Sequence, residues 1–157
     1  RQMCIRDRYQ GQHFKISGQV FFPKPIQKPY PPIWVGGKTG AAIKRAARYG
    51  DAWNPLWVTI DEFPGQLKKL QDLTESFDRP RNAVTPAMTI NMHWGEAQFD
   101  ANGRRMELTG TTQQLLDDLR AYRDIGLEHV IISPSADSTD STLDQVKRFA
   151  TEVMPKI

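Results

Sequence analysis

Four times along this chain of 157 residues a short apolar run gives way to an amphipathic helix, and that alternation constrains the fold more than any other feature. Strand followed by helix, repeated, requires crossover connections and a parallel sheet. The strand-like runs are 33–35, 51–53, 83–94 and 129–132, the third being firmest over 89–93 because Pro86 interrupts its start. The first and last lack polar alternation, which suits strands buried on both faces. Periodicity leaves two closures open, an open doubly wound sheet or part of a (β/α) barrel.

Each helix carries its own start or stop signal. Over 39–48, Ala42, Ile43, Ala46 and Ala47 share a face, and Gly50 supplies a C′ stop. Thr59 and Glu62 have capping-box spacing ahead of the stripe Phe63, Leu67, Leu70, Leu73 and Phe77. Pro64 is tolerated in a first turn, so that helix can start as early as Asp61. Thr111 and Gln114 form a second box, followed by Leu115, Leu116, Leu119, Tyr122 and Ile125 and closed by Gly126. Ser141 caps the last helix, whose expected buried face is Leu143, Val146, Phe149, Ala150 and Val153.

The beginning of the chain reads differently. Residues 1–8 are charged and aperiodic, a stray segment distinct from the domain over 9–157. Between 9 and 32, Pro23, Pro25, Pro29, Pro31 and Pro32 remove backbone donors, so an extended loop is expected.

Composition narrows the function classes. The chain is 39% hydrophobic and 25% charged, which excludes a disordered tail or a collagen. A single cysteine, Cys4, builds no disulfide framework, and with three scattered histidines no metal spacing arises. No apolar run reaches the ~18 residues of a membrane span, and no leader pattern is present, so a cytoplasmic protein is expected. A net charge of +3 without a basic stripe argues against nucleic acid.

Parallel sheets put ligands beyond the C-terminal ends of their strands. At one such end, Gly36-Gly37-Lys38-Thr39-Gly40 joins strand to helix. Glycines let backbone amides approach an anion, and a helix N-terminus offers free N–H groups. The spacing matches neither G-x-G-x-x-G nor a P-loop, so on spacing alone a plain βα turn is the favoured reading. His93 and Trp94 end another strand, where an imidazole can serve a ligand as acid or base. Trp34, Trp53, Trp57 and Trp94 all fall near strand ends and can wall a pocket for a flat ring, or simply pack a core.

The block PYPPIWVGGKTGAAIKRAARYGDAWNPLW, residues 29–57, resembles the luciferase-like monooxygenase family of flavin and deazaflavin oxidoreductases. The resemblance implies an α/β fold, a TIM (β/α)8 barrel, of which residues 9–157 would form the C-terminal half, strands five to eight. It implies that Gly36, Gly37, Thr39 and Gly40 contact cofactor phosphate and ribityl groups, and that Asp51, Trp53 and Asn54 line the pocket. His93 and Trp94 join them as pocket-lining candidates. The family's proton chemistry belongs to the other half, so no catalytic acid or base is assigned. The implied cofactor is the deazaflavin coenzyme F-420, transferring hydride to or from a small organic substrate, with FMN-dependent monooxygenation as the alternative. A half barrel alone is expected to be inactive, and its open sheet edges to recruit another chain, giving a homo-oligomer. From a different class, Pro29-Tyr30-Pro31-Pro32 can be read as a polyproline ligand in a non-enzymatic binding module.

Overall fold

The computed structural model describes residues 8–18 and 22–157, so the stray segment 1–8 lies almost wholly outside the described residues. The chain divides into two compact units, Arg1–Pro31 and Pro32–Ile157. In the first, Tyr9–Gln10 (β1) and Lys15–Ile16 (β2) pair antiparallel, and the Gly11 N–H donates to the Phe14 carbonyl at 2.9 Å. That hairpin corrects the expectation of loop throughout 9–32. From residue 22 to 33 the proline-rich stretch does lack regular structure.

The second unit alternates strand and helix as the periodicity requires. Trp34–Gly36 (β3) leads to Gly40–Tyr49 (α1), and Ala52–Asn54 (β4) to Phe63–Ser76 (α2). Thr85–Trp94 (β5) is followed by the two-residue strand Thr109–Gly110 (β6) and by Thr112–Asp124 (α3). His129–Pro134 (β7) precedes Thr139–Arg148 (α4), and a π-helical turn, Phe149–Val153, extends α4. All pairings within this sheet are parallel, in the order β3-β4-β5-β7, with β6 added at the C-terminal end of β5. The order follows the chain without reversal. A doubly wound sheet reverses at its switch point, so the sequential order is that of neighbouring strands in a (β/α) barrel.

The sheet curls. Trp34 and His129, the first residues of its two outer strands, meet edge to face across the concave side at 5.0 Å. Side chains alternate between that concave side and the helices. Met88 and Met92 of β5 point to the helices, where Ile43, Trp53, Phe63, Leu70 and Tyr122 form one core and Leu108, Leu115, Leu119 and Val153 another.

Several local expectations are corrected. β3 and β7 are not buried on both faces, because as outer strands they leave their concave positions Trp34, Gly36, His129, Ile131 and Ser133 exposed. Gly50 ends α1 at φ −83°, so it is no left-handed stop; a Cβ there would lie 3.0 Å from the Ala46 carbonyl oxygen and 3.1 Å from Val35 Cγ2, and close packing requires the glycine. Thr59 and Glu62 do exchange hydrogen bonds, at 3.2 and 3.3 Å, but they cap the turn before α2, which begins at Phe63. Pro86 lies inside β5, where its carbonyl accepts from Glu128 N–H and the donor it lacks would fall before β7 begins. Ser138 rather than Ser141 caps α4, accepting from the Ser141 N–H at 3.2 Å. The expected buried face divides: Val153 is fully buried and Phe149 packs against the second core, whereas Leu143 and Val146, on α4 itself, are 51% and 50% exposed.

Candidate functional site

The Gly36–Gly40 turn emerges at the C-terminal end of β3 and opens α1. Gly37 adopts φ +101°, which an L side chain rarely tolerates. Thr39 is the N-cap, its hydroxyl oxygen accepting from Ala42 N–H at 3.3 Å while its carbonyl accepts from Ile43 N–H at 3.0 Å. Of the first-turn amides, those of Gly40 and Ala41 are therefore left without an acceptor among the described residues. Behind the turn, Trp53 Nε1 donates to the Gly37 carbonyl at 2.9 Å and fixes its direction. In front of it stand two cations. Lys38 Nζ donates to the Trp57 carbonyl at 2.9 Å, and Lys69 Nζ, reaching over from α2, lies 3.4 Å from where a Gly40 Cβ would be. Among the described residues neither pairs with a carboxylate. Two ammonium groups at the positive end of a helix dipole repel unless an anion lies between them. Lys69 carried no sequence signal, because its place depends on how α2 packs beside α1.

Arg79 holds α1 from its other end. Its guanidinium donates to the Ala47 and Gly50 carbonyls at 2.7 Å each, a cation placed at a helix C-terminus. The turn is thus pinned by Trp53 below and by Arg79 through the helix.

The other candidates separate by strand geometry. Asn54 ends β4 on the concave side, where its Nδ2 donates to Thr89 Oγ1 at 3.1 Å. His93 is on the same side, near the end of β5 and partly buried, and Asn91 and Ser133 extend this polar rim. Thr89, Asn91 and Ser133 were missed because a run of mixed polarity does not announce which parity faces the ligand. Asp51 does not reach the rim. It precedes β4, at the N-terminal end of the sheet, where its Oδ2 accepts from Ile33 N–H at 2.7 Å and anchors the entry to β3. Trp53 is fully buried against Phe63, ring centroids 5.9 Å apart, so it supports the turn from the helix side. Trp94 also points to the helices, beneath the Arg148 guanidinium at 4.1 Å; as His93's immediate neighbour on a strand it must face the opposite way.

Residues 95–108 form an excursion between β5 and β6. Asp118 anchors it, pairing with Arg105 and accepting the Leu108 N–H at 2.8 Å. The hydrogen bond that Arg105 donates to Asp118 holds its guanidinium above its ordinary pKa range. Tyr122 lies under the excursion, its hydroxyl raised well above the usual phenol range by burial first and then by the charges of Glu107 and Asp118.

The parallel unit is half of a (β/α) barrel, with the Gly36–Gly40 turn at a strand's C-terminal end, the face on which barrels of this kind carry their ligand sites. Residues 5–124 match the family described as luciferase-like monooxygenase, and the chain belongs to that family. Similar solved structures include a coenzyme F-420-dependent tetrahydromethanopterin reductase from Methanopyrus kandleri, at TM-score 0.78 and 11% identity over 94% of this chain and 57% of that one. An F-420-dependent secondary alcohol dehydrogenase in complex with an F-420–acetone adduct matches at TM-score 0.75 and 13% identity, over 95% of this chain and 55% of that one. A riboflavin lyase with modified FMN and riboflavin matches at TM-score 0.69 and 10% identity, over 94% and 47%. The chain spans about half the length of these proteins.

Proposed function

We propose that this chain supplies the phosphate-binding half of a luciferase-like oxidoreductase site, with coenzyme F-420 as its cofactor and a small organic molecule as its substrate. The observation that carries the reading is the Gly36–Gly40 turn, with its two open amides and two unpaired ammonium groups. The fit is steric as well as electrostatic, since a Cβ on Gly40 would lie 3.4 Å from Lys69 Nζ, in the space between that ammonium and the helix N-terminus. Gly40 and Ala41 N–H groups receive the phosphate oxygens, Lys38 and Lys69 neutralise them, and the Thr39 hydroxyl hydrogen is free to donate. Bound F-420 would supply a ring carbon that accepts or donates hydride. On the concave rim, Asn54, Thr89 and Asn91 orient the reacting partner by hydrogen bonds, and His93 holds or releases a proton beside it. The resemblance of block 29–57 to deazaflavin users supports F-420. FMN is the alternative, and it presents the same phosphate chemistry to the same turn. Family membership favours both over a polyproline-bearing binding module. Inactivity of the chain by itself follows from the same reading, because the rim is built from half a barrel.

Titration of the isotope-labelled chain with F-420, FMN and riboflavin tests this. The two phosphate-bearing compounds should shift the Gly40 and Ala41 amide resonances and bind at least about tenfold more tightly than riboflavin, the scale of one charge-assisted hydrogen bond. Equal affinity for riboflavin and FMN would refute a phosphate cradle. The tighter of F-420 and FMN identifies the cofactor.

A further inference from the structure

Between the C-terminal end of β4 and the excursion, against β5, lies a cavity of about 370 Å3. Its apolar walls are Trp57 and Val58 from the loop after β4, Met88 and Ile90 from β5, Met106 from the excursion and Tyr122 from α3. That volume is within the usual range for small-molecule sites.

The strand behind this cavity is incompletely paired, and the register shows why. Thr85 N–H donates to the Asp51 carbonyl and His93 N–H to the Leu108 carbonyl, so odd-numbered residues of β5 present their backbone groups to β4 and then to β6. Even-numbered Pro86 and Met92 present theirs to β7, accepting from Glu128 and Ser135. β4 stops pairing after Trp53↔Pro86, because the next ladder bond needs an N–H that Pro55 lacks. β6 begins only at His93↔Thr109. Between them the N–H and C=O of Thr89 and of Asn91 have no strand partner on that edge, and both residues line the cavity. Buried or half-buried backbone polar groups are normally satisfied.

We infer that this break in the β5 ladder is a binding site for a small, neutral, planar ring bearing an amide-type edge, such as a lactam or imide. The ring fills the apolar walls, and its adjoining N–H and C=O complete the ladder at Thr89 and Asn91. An added peptide strand is excluded, since β4 and β6 block the edge at both ends. Neutrality follows from the rim, whose charges are already paired. Arg104 bridges Asp61 and Glu107, Arg105 pairs with Asp118, and Asp100 accepts the Asn102 and Arg104 N–H groups. Trp57 stands at the mouth, 78% exposed and held at φ +52°, a strained backbone of the kind found at ligand sites. The site shares no lining residue with the Gly36–Gly40 turn, which it adjoins where Lys38 Nζ donates to the Trp57 carbonyl.

Titration of the labelled chain with 2-quinolinone and with N-methyl-2-quinolinone tests the inference. The first should shift the Thr89 and Asn91 amides saturably, and the second, with its edge blocked, should bind at least about tenfold more weakly. Met106→Trp, made on the exposed excursion, should close the cavity and remove the shifts while leaving the remaining spectrum that of the folded chain. Equal affinity of the two compounds overturns the proposal, as does the absence of Thr89 and Asn91 shifts at the solubility limit of 2-quinolinone. Shifts at Gly40 and Ala41 instead would place the ring at the cradle and also overturn it, whereas failure of the cradle itself leaves the Thr89 and Asn91 result unchanged.

Discussion

The first and last helices of the parallel unit follow the same sequence grammar and meet different fates. Both begin at a hydroxyl N-cap, Thr39 for α1 and Ser138 for α4, and both carry an apolar stripe. In α1 the whole stripe is buried, Ala42 and Ile43 at 2% exposure and Ala46 and Ala47 at 0%. In α4 no residue is buried. The difference lies in neighbours. α1 has β3 and β4 beneath it and α2 beside it, with Arg79 closing its last turn; α4 rests on β7 and has no helix on its far side among the described residues. A helical stripe thus states which face seeks burial, and the surrounding chain decides whether it is buried. The helix that is fully embedded is also the one that aims its N-terminus at the candidate ligand.

The contrast should be largest in core truncations. Ile43→Ala should lower unfolding free energy by about 2–4 kcal/mol, as for a buried aliphatic side chain, whereas Val146→Ala should change it by no more than about 0.5 kcal/mol. Urea denaturation of the two variants measures both, and similar losses would mean that α4 is covered in solution. Next in size is Arg79→Met, which strips the α1 carbonyls of a charged donor and should remove about 1.5–3 kcal/mol. If α1 instead holds itself by helix propensity, the midpoint will hardly move.

How much of this was legible in the sequence follows the same division. Signals that act within a few residues are legible, as with the Thr111–Gln114 box and the strand-to-helix turn at Gly36–Gly40. Errors arose where the outcome depends on distant partners. The runs at β3 and β7 look doubly buried because barrel strands are apolar on both faces, yet these two are outer strands. Trp53 and Trp94 were grouped with pocket walls by their position at strand ends, although parity turns both toward the helices. Lys69 and Arg79, which serve opposite ends of α1, are invisible in linear spacing. Strand parity applied to His93 and Trp94 was the one correction available from sequence alone.

A smaller effect is expected at the cradle. Gly37 is unsuitable for a test, since at φ +101° any side chain strains the turn whatever it does to a ligand. Gly40 is better placed, because the nearest group a Cβ meets is the mobile end of Lys69 at 3.4 Å. Gly40→Val should weaken F-420 or FMN binding by about 1–2 kcal/mol with the fold intact. Unchanged affinity in that variant would return the turn to a plain strand–helix connection.

The smallest effect is set by pH, and again it separates the two helices. Glu152, one turn beyond α4, accepts from Arg148 Nε at 2.8 Å and from the Thr112 hydroxyl at 2.9 Å, tying the end of α4 to the start of α3. Arg148 first, and then Thr112, hold its carboxyl below the ordinary glutamate range. A carboxyl depressed in the folded state contributes stability that is fully present above its unfolded pKa, about 4.3, and is lost as pH falls through the depressed value. The pair is solvent-exposed, so the contribution is small and screened by salt. Wild type should therefore exceed Glu152→Gln slightly in urea midpoint at pH 7, and the two should converge below pH of about 4. Arg79 donates to carbonyls that do not titrate, so the Arg79→Met loss should persist across the same range. A gap between wild type and Glu152→Gln that stays constant down to acid pH would show that the glutamate's shape, rather than its charge, joins α4 to α3.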